Sequence, residues 1–584
     1  MDPINRRIQV PAAGLALPLA LLLAAGCAST TPRKAPPSAA DLSALTVSAE
    51  VALKRGDCRE ASENYAKATA GPDVKLARRA TEVALACEDL PAGWTAANRW
   101  RTLAPADREA NALYAMVALK LYRLPEARSA IADYCRLDLQ MGPQTPAPAG
   151  AGASPKANTP DRAVRGLADL VSLLLEETDP SAILAATSAV PEPIANAPRT
   201  LTLLGELALA AYDGPRAESY ARRALEQDPK DLAAMRVLGR AYVLSGDAAQ
   251  AIATARGAIA VDKVRGGLEL AEILASLDRV EEAHQQLESL RGSGVPAAEL
   301  DRRLALLAFQ SGDLKEARQR FSALLASGEG SDAAQLYLAD IAARDGDPER
   351  AIAEYRRLYD STVALPARSR SAALLLNRKA RAEALTLLDD YATEHPEDEL
   401  ALTLTKAHLL ADHGEADAGL ALLGAALERH PQHPSIEYDR AVILEQAGHV
   451  HESVTALEQL LTQRPDDPTI ENALGYTLAD HSLELPRAEG LIKRALTVMP
   501  DSPAALDSLG WVHFRRGDAR GAAGMLERAY AIDHDAEIAA HWGEALWVSG
   551  EQGEARKVWA AALAREPDSR PLKATLARFI PDAH

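Results

Sequence analysis

The chain has 584 residues, only 4% of them aromatic, and a formal net charge of -18. That length exceeds what one compact core sustains, so the chain is either several domains or an array that grows by repetition. The acidic excess repels phosphate backbones and argues against nucleic acid as a partner, although it also simply keeps a long array soluble.

Residues 1–26 read as a leader. Arg6 and Arg7 are followed by an apolar run, 12–26, of about 15 residues, short of the roughly 20 needed to span a bilayer. The run ends in Leu23-Ala24-Ala25-Gly26-Cys27, which resembles the bacterial lipobox. That resemblance implies that Cys27 is lipidated and becomes the mature N-terminus. Ala28, rather than Asp, follows it, which implies the periplasmic face of an outer membrane. Residues 27–41, with Pro32, Pro36 and Pro37, read as a tether.

Three loose helical pairs follow within 42–138, at about 42–69, 73–101 and 108–136. Residues 139–161 then lose all apolar periodicity and are rich in Pro, Ala and Gly, which reads as a disordered linker or insertion. A weaker pair at about 162–190 opens the main array, expected over 162–569. From there small residues recur at Gly205, Gly239, Ala271, Ala305, Ala339, Ala372, Ala407, Ala441, Gly475, Gly510 and Gly543, always 32 to 35 residues apart. Each is followed by Ala-x3-bulky spacing, as at Ala488 and Ile492, and often by Pro, as at Pro500 and Pro567. This pattern resembles the tetratricopeptide (TPR) repeat and implies an all-α fold, a right-handed TPR superhelical solenoid of antiparallel helix pairs. Residues 570–584, with Leu572, Leu576 and Phe579 on one face, read as the amphipathic capping helix and tail.

Little points to chemistry. No nucleophile elbow, zinc-protease helix, paired-cysteine motif or phosphate loop is found, so the chain is read as non-enzymatic, with no cofactor and no metal. His413, His449, His451 and His481 fall near turns of successive repeats; they are read as solvated turn residues, against the alternative of a weak metal-binding or pH-sensitive strip along one edge. Cys58, Cys87 and Cys135 follow the leader; Cys58–Cys87 is the preferred disulfide, against three buried thiols.

Function is expected on the concave face. Counting from each small residue places Asn472, Tyr476, Asp507, Trp511, Phe514, Glu544 and Trp547 there, and Trp542 and Trp559 in the core. Aromatic anchors among polar neighbours suit a protein-binding groove, while inter-repeat packing of Trp511 and Trp547 is the competing reading. Arg236, Arg240 and Arg302 offer a secondary basic patch against the alternative of plain solvated charge.

The lipobox, the Arg55-Gly56-Asp57 turn and the C-terminal block containing Asn472-Ala473-Leu474-Gly475-Tyr476, Leu509-Gly510-Trp511 and Trp542-Gly543-Glu544 together resemble a particular group. It is the proteobacterial outer-membrane TPR lipoproteins that serve as adaptors for a periplasmic carboxy-terminal processing protease. The resemblance implies a scaffold without activity of its own, presenting peptidoglycan hydrolases to the protease and restraining cell-wall turnover. The alternative is a TPR lipoprotein scaffold or pilotin for assembly of a pilus or an exopolysaccharide secretion channel.

Overall fold

A computed structural model describes residues 38–140, 159–328 and 330–580; Cys27, the leader and the core of the Pro/Ala/Gly segment lie outside them. Among the described residues there are 32 α-helices and no strand, and no helix is long and apolar enough to cross a membrane. Successive helices pair antiparallel, and each pair packs on the next, giving an all-α TPR-type solenoid.

The turn inside each pair is written locally. In the first, Gly56 donates to the Leu53 carbonyl (3.0 Å) and Asp57 to the Ala52 carbonyl (2.9 Å), closing the helix Ala39–Lys54 in a Schellman arrangement. The Asp57 carboxylate then accepts from the Glu60 N–H and starts the helix Cys58–Ala68. The same left-handed residue followed by a capping aspartate recurs at Gly246-Asp247, Gly312-Asp313, Gly346-Asp347 and Gly517-Asp518. Pairs approach closely at the small residues. A methyl group at Gly543 would overlap the indole of Trp559, and one at Gly205 would lie 2.7 Å from Val237.

Two expected boundaries move. The first helix begins at Ala39, inside the stretch assigned to the tether, because Ser38 and Asp41 form a reciprocal capping box. The unpatterned segment shortens on both sides, since helices Leu124–Gln140 and Thr159–Leu175 flank it and pack on each other. Their contact centres on Asp138, wholly buried against Gly166 and 3.0 Å from Arg108, whose guanidinium lies over Tyr134. One apolar core runs through this junction, from Ala97 to Leu307. Cys58 and Cys87 form a disulfide (Cα–Cα 5.3 Å) tying the turns of the first two pairs, while Cys135 is a buried free thiol.

The winding brings late repeats back onto early ones. His433 lies 3.5 Å from Glu88, the Tyr122 hydroxyl donates to the Asp466 carbonyl (3.1 Å) with Arg464 over its ring, and Arg565 pairs with Asp278 at 3.1 Å. Between them Asp501 is doubly held: its N–H donates to the Tyr212 carbonyl (3.0 Å), and its carboxylate accepts from Gly214 N–H (2.9 Å). On the early side, Glu88, Tyr122, Tyr212 and Asp278 all occupy the left-handed position of their turns, with φ of 52°, 54°, 52° and 56°. Most other turns place glycine there. A side chain in that conformation costs roughly 1 kcal/mol, and here it coincides with contact between superhelical turns. Gln432 and Asp466, also left-handed, lie on the opposing side of the same seam.

The double substitution Tyr122→Ala with Asp278→Ala should loosen this seam. Small-angle scattering is expected to show a larger radius of gyration at unchanged helix content by circular dichroism. An unchanged scattering profile would mean that local repeat packing alone holds the turns together.

Candidate protein-binding groove

The last repeats present helices Pro434–Gln446, Pro468–Asp480, Pro503–Arg515 and Ala536–Ser549 side by side. Their spacing stacks side chains from successive repeats. Trp511 stacks with Phe514 (ring centroids 4.9 Å) and with His541 (4.1 Å), and its indole N–H donates to Asp480 Oδ1 at 2.9 Å. His541 Nδ1 sits 3.0 Å from Asp507 Oδ1, and the Tyr476 hydroxyl donates to Glu537 at 2.7 Å.

This arrangement corrects the open groove expected from sequence. Trp511 is 4% exposed, and Asp507 and Glu544 are each 6% exposed. All three are used within the protein, Glu544 by Arg578 of the terminal helix at 2.6 Å. They form the groove's wall rather than its contact surface, because each is almost wholly buried and already engaged with neighbours. Asn472, Tyr476, Phe514 and Trp547 are half-buried and do border solvent. Trp547 packs on Trp559 and Phe579, so the terminal helix Arg570–Phe579 closes this end of the array. Trp559 is fully buried as core, whereas Trp542, expected beside it, is half-buried against Tyr530.

Charge in the wall is set by its neighbours. Burial alone would lower the basicity of His541, but Asp507 in contact, with Glu537 and Asp480 nearby, outweighs it and raises the pKa to about 9. Burial and the Glu537 carboxylate push the Tyr476 phenol well above its usual range.

The basic patch does not survive as a free anion site. Arg236 pairs with Glu206, Arg240 with Glu272 (2.6 Å) and Glu269 (3.5 Å), and Arg302 with Glu299 (3.0 Å). Arg236 and Arg240 instead border a cleft of about 1050 Å³ between superhelical turns. Its near wall includes Phe309 and Arg344, whose guanidinium lies 4.1 Å over the Phe309 ring and is made less basic by burial. Its far wall brings Asp533 and Glu566, both raised above the usual carboxylate range by burial. Sequence reading missed this cleft, since its walls, 206–344 and 531–566, lie far apart in the chain. The four histidines form no strip: His413 bonds the Leu409 carbonyl, His449 lies near Glu452 of its own helix, His451 is exposed, and His481 turns to Glu445.

The tetratricopeptide repeat family model matches residues 202–264, 268–332, 302–369 and 404–468. A TPR repeat-containing protein of Pseudomonas aeruginosa is 32% identical over 213 residues, 36% of this chain and 36% of that relative's length. A thermophilic TPR protein from Thermus thermophilus aligns over 30% of this chain and 96% of its own, at 25% identity and a TM-score of 0.28. One chain of the crystal structure of the APC/C hetero-tetramer Cut9–Hcn1 aligns over 92% of this chain and 96% of its own, at 14% identity and a TM-score of 0.28. The matched segments are TPR repeats, and the helix pairing they show extends through the rest of the described residues. The aromatic block after residue 468 lies beyond the matched segments and continues the same helix pairing.

Two outcomes are expected from the wall. Trp511→Ala should destabilise the C-terminal repeats by about 3–5 kcal/mol, as loss of a buried indole does, measurable by denaturant unfolding. The raised pKa of His541 stabilises the folded protein fully below the unfolded value of about 6.5, and that stabilisation is lost as pH rises through about 9. The thermal midpoint of the parent should therefore fall between those pH values, and Asp507→Asn should flatten the fall. A slope that persists in the variant would place the titrating charge elsewhere.

Proposed function

We propose that this chain is a non-catalytic adaptor anchored through Cys27 on the periplasmic face of an outer membrane. It brings a carboxy-terminal processing protease together with peptidoglycan hydrolases and so limits cell-wall turnover. The observation that carries the adaptor reading is that one rigidly stacked array offers two chemically different concave regions. One is the cleft between turns, bordered by Phe309, Arg344 and the Asp533 and Glu566 carboxylates. The other is the C-terminal groove bordered by Asn472, Tyr476, Phe514 and Trp547. Two docking regions on one tethered scaffold raise the effective concentration of one partner for the other without any new contact between them. The lipobox and the C-terminal aromatic block support the membrane and protease parts of the reading by resemblance.

Affinity isolation from detergent-solubilised membranes tests it. A processing protease and a wall hydrolase are expected together, and Tyr476→Ala with Asn472→Ala should release one of them at least tenfold while the other stays bound. Recovery of a secretin or a pilus component instead would replace the adaptor reading. Hydrolysis of the wall by the purified protein alone would overturn its non-catalytic part.

A further inference from the structure

We infer that Glu445, Asp480 and His481 form a binding site for a divalent transition-metal ion that clips two successive repeats together. The inference rests on the fold and not on the adaptor reading. Glu445 lies in the last turn of helix Pro434–Gln446, Asp480 ends helix Pro468–Asp480, and His481 caps that helix. One donor atom from each of the three residues lies within 4.8 Å of the other two. His481 Nε2 is 2.7 Å from Glu445 Oε1 and 4.0 Å from Asp480 Oδ2.

An ion bound at about 2.0–2.2 Å from nitrogen and oxygen ligands holds its donors roughly 3–4 Å apart. Small side-chain rotations bring this group to that spacing. Asp480 is already oriented for the task. The indole N–H of Trp511, from the following repeat, donates to Oδ1 at 2.9 Å and leaves Oδ2 to face His481. Metal-binding carboxylates are commonly held in this way by a donor behind them.

The hydrogen bond between His481 Nε2 and Glu445 leaves Asp480 Oδ2 at 4.0 Å from the ring, beyond hydrogen-bond reach. A cation engages all three groups at once. One imidazole nitrogen and two carboxylate oxygens suit zinc, cobalt, nickel or manganese rather than a soft monovalent ion. The side chains are 21–32% exposed, so water can fill the remaining coordination positions.

The test is titration of tag-free full-length protein with zinc by calorimetry, and with cobalt by visible absorption. One zinc ion per chain is expected, with a rise in the thermal midpoint. His481→Ala and Glu445→Gln should each weaken binding at least tenfold, and Trp511→Phe should weaken it severalfold by freeing Asp480. His451→Ala, an exposed histidine outside the cluster, should leave binding unchanged. Equal affinity in parent and His481→Ala would mean an adventitious ion only, and no heat or spectral change in the folded parent would likewise overturn the site. Circular dichroism checks that each variant is folded, and the conservative Glu445→Gln keeps the test valid should His481→Ala unfold.

Discussion

The close approach of two helices at a residue with no side chain to spare sets the geometry of this molecule. At Gly475 and Gly510 there is no room for a methyl beside Ile492 or Leu526, and at Gly543 the Trp559 indole occupies the space. The distance between paired helices is therefore fixed from one repeat to the next. A fixed distance gives a fixed rotation per repeat, and the rotation accumulates. Everything distinctive about the structure, from the seam between turns to the cleft beside it, is a sum over these small local contacts.

The acidic excess is distributed with care along that array. Concave carboxylates that would repel one another are paired one by one, Glu206 with Arg236, Glu272 with Arg240 and Arg303, and Glu544 with Arg578. The exposed pairs among them add little stability each. Their effect is on the surface charge: carboxylates and guanidiniums along the array are already committed to neighbours. Tyr476, Phe514 and Asn472 are half-buried side chains that border solvent beside these pairs.

The repeat fold was legible because its determinants are local. Small residues at intervals of 32 to 35, the Gly-Asp turns and the terminal amphipathic helix each report on neighbours within one or two helices. The site was legible only in part. Counting from the small residues placed Trp559 in the core and put Tyr476 and Phe514 beside the groove, yet it could not see that His541 of the next repeat would cover Trp511. Arg236 and Arg240 looked like a basic patch because their partners, Glu206 and Glu272, come from adjacent repeats. The cleft and the seam had no local signal, apart from four turns that carry Glu88, Tyr122, Tyr212 and Asp278 where glycine is the easier residue.

Those four turns make the array count itself. A solenoid whose repeats touch only their neighbours tolerates gain or loss of a unit anywhere, since nothing distant records the number. Here Glu88 must meet His433, and Asp278 must meet Arg565, across several intervening repeats. Duplication or deletion of one repeat between them would slide every pair out of register by a full helical hairpin, exposing four strained turns with nothing opposite. The seam thus works as a vernier that ties the fold to one number of repeats.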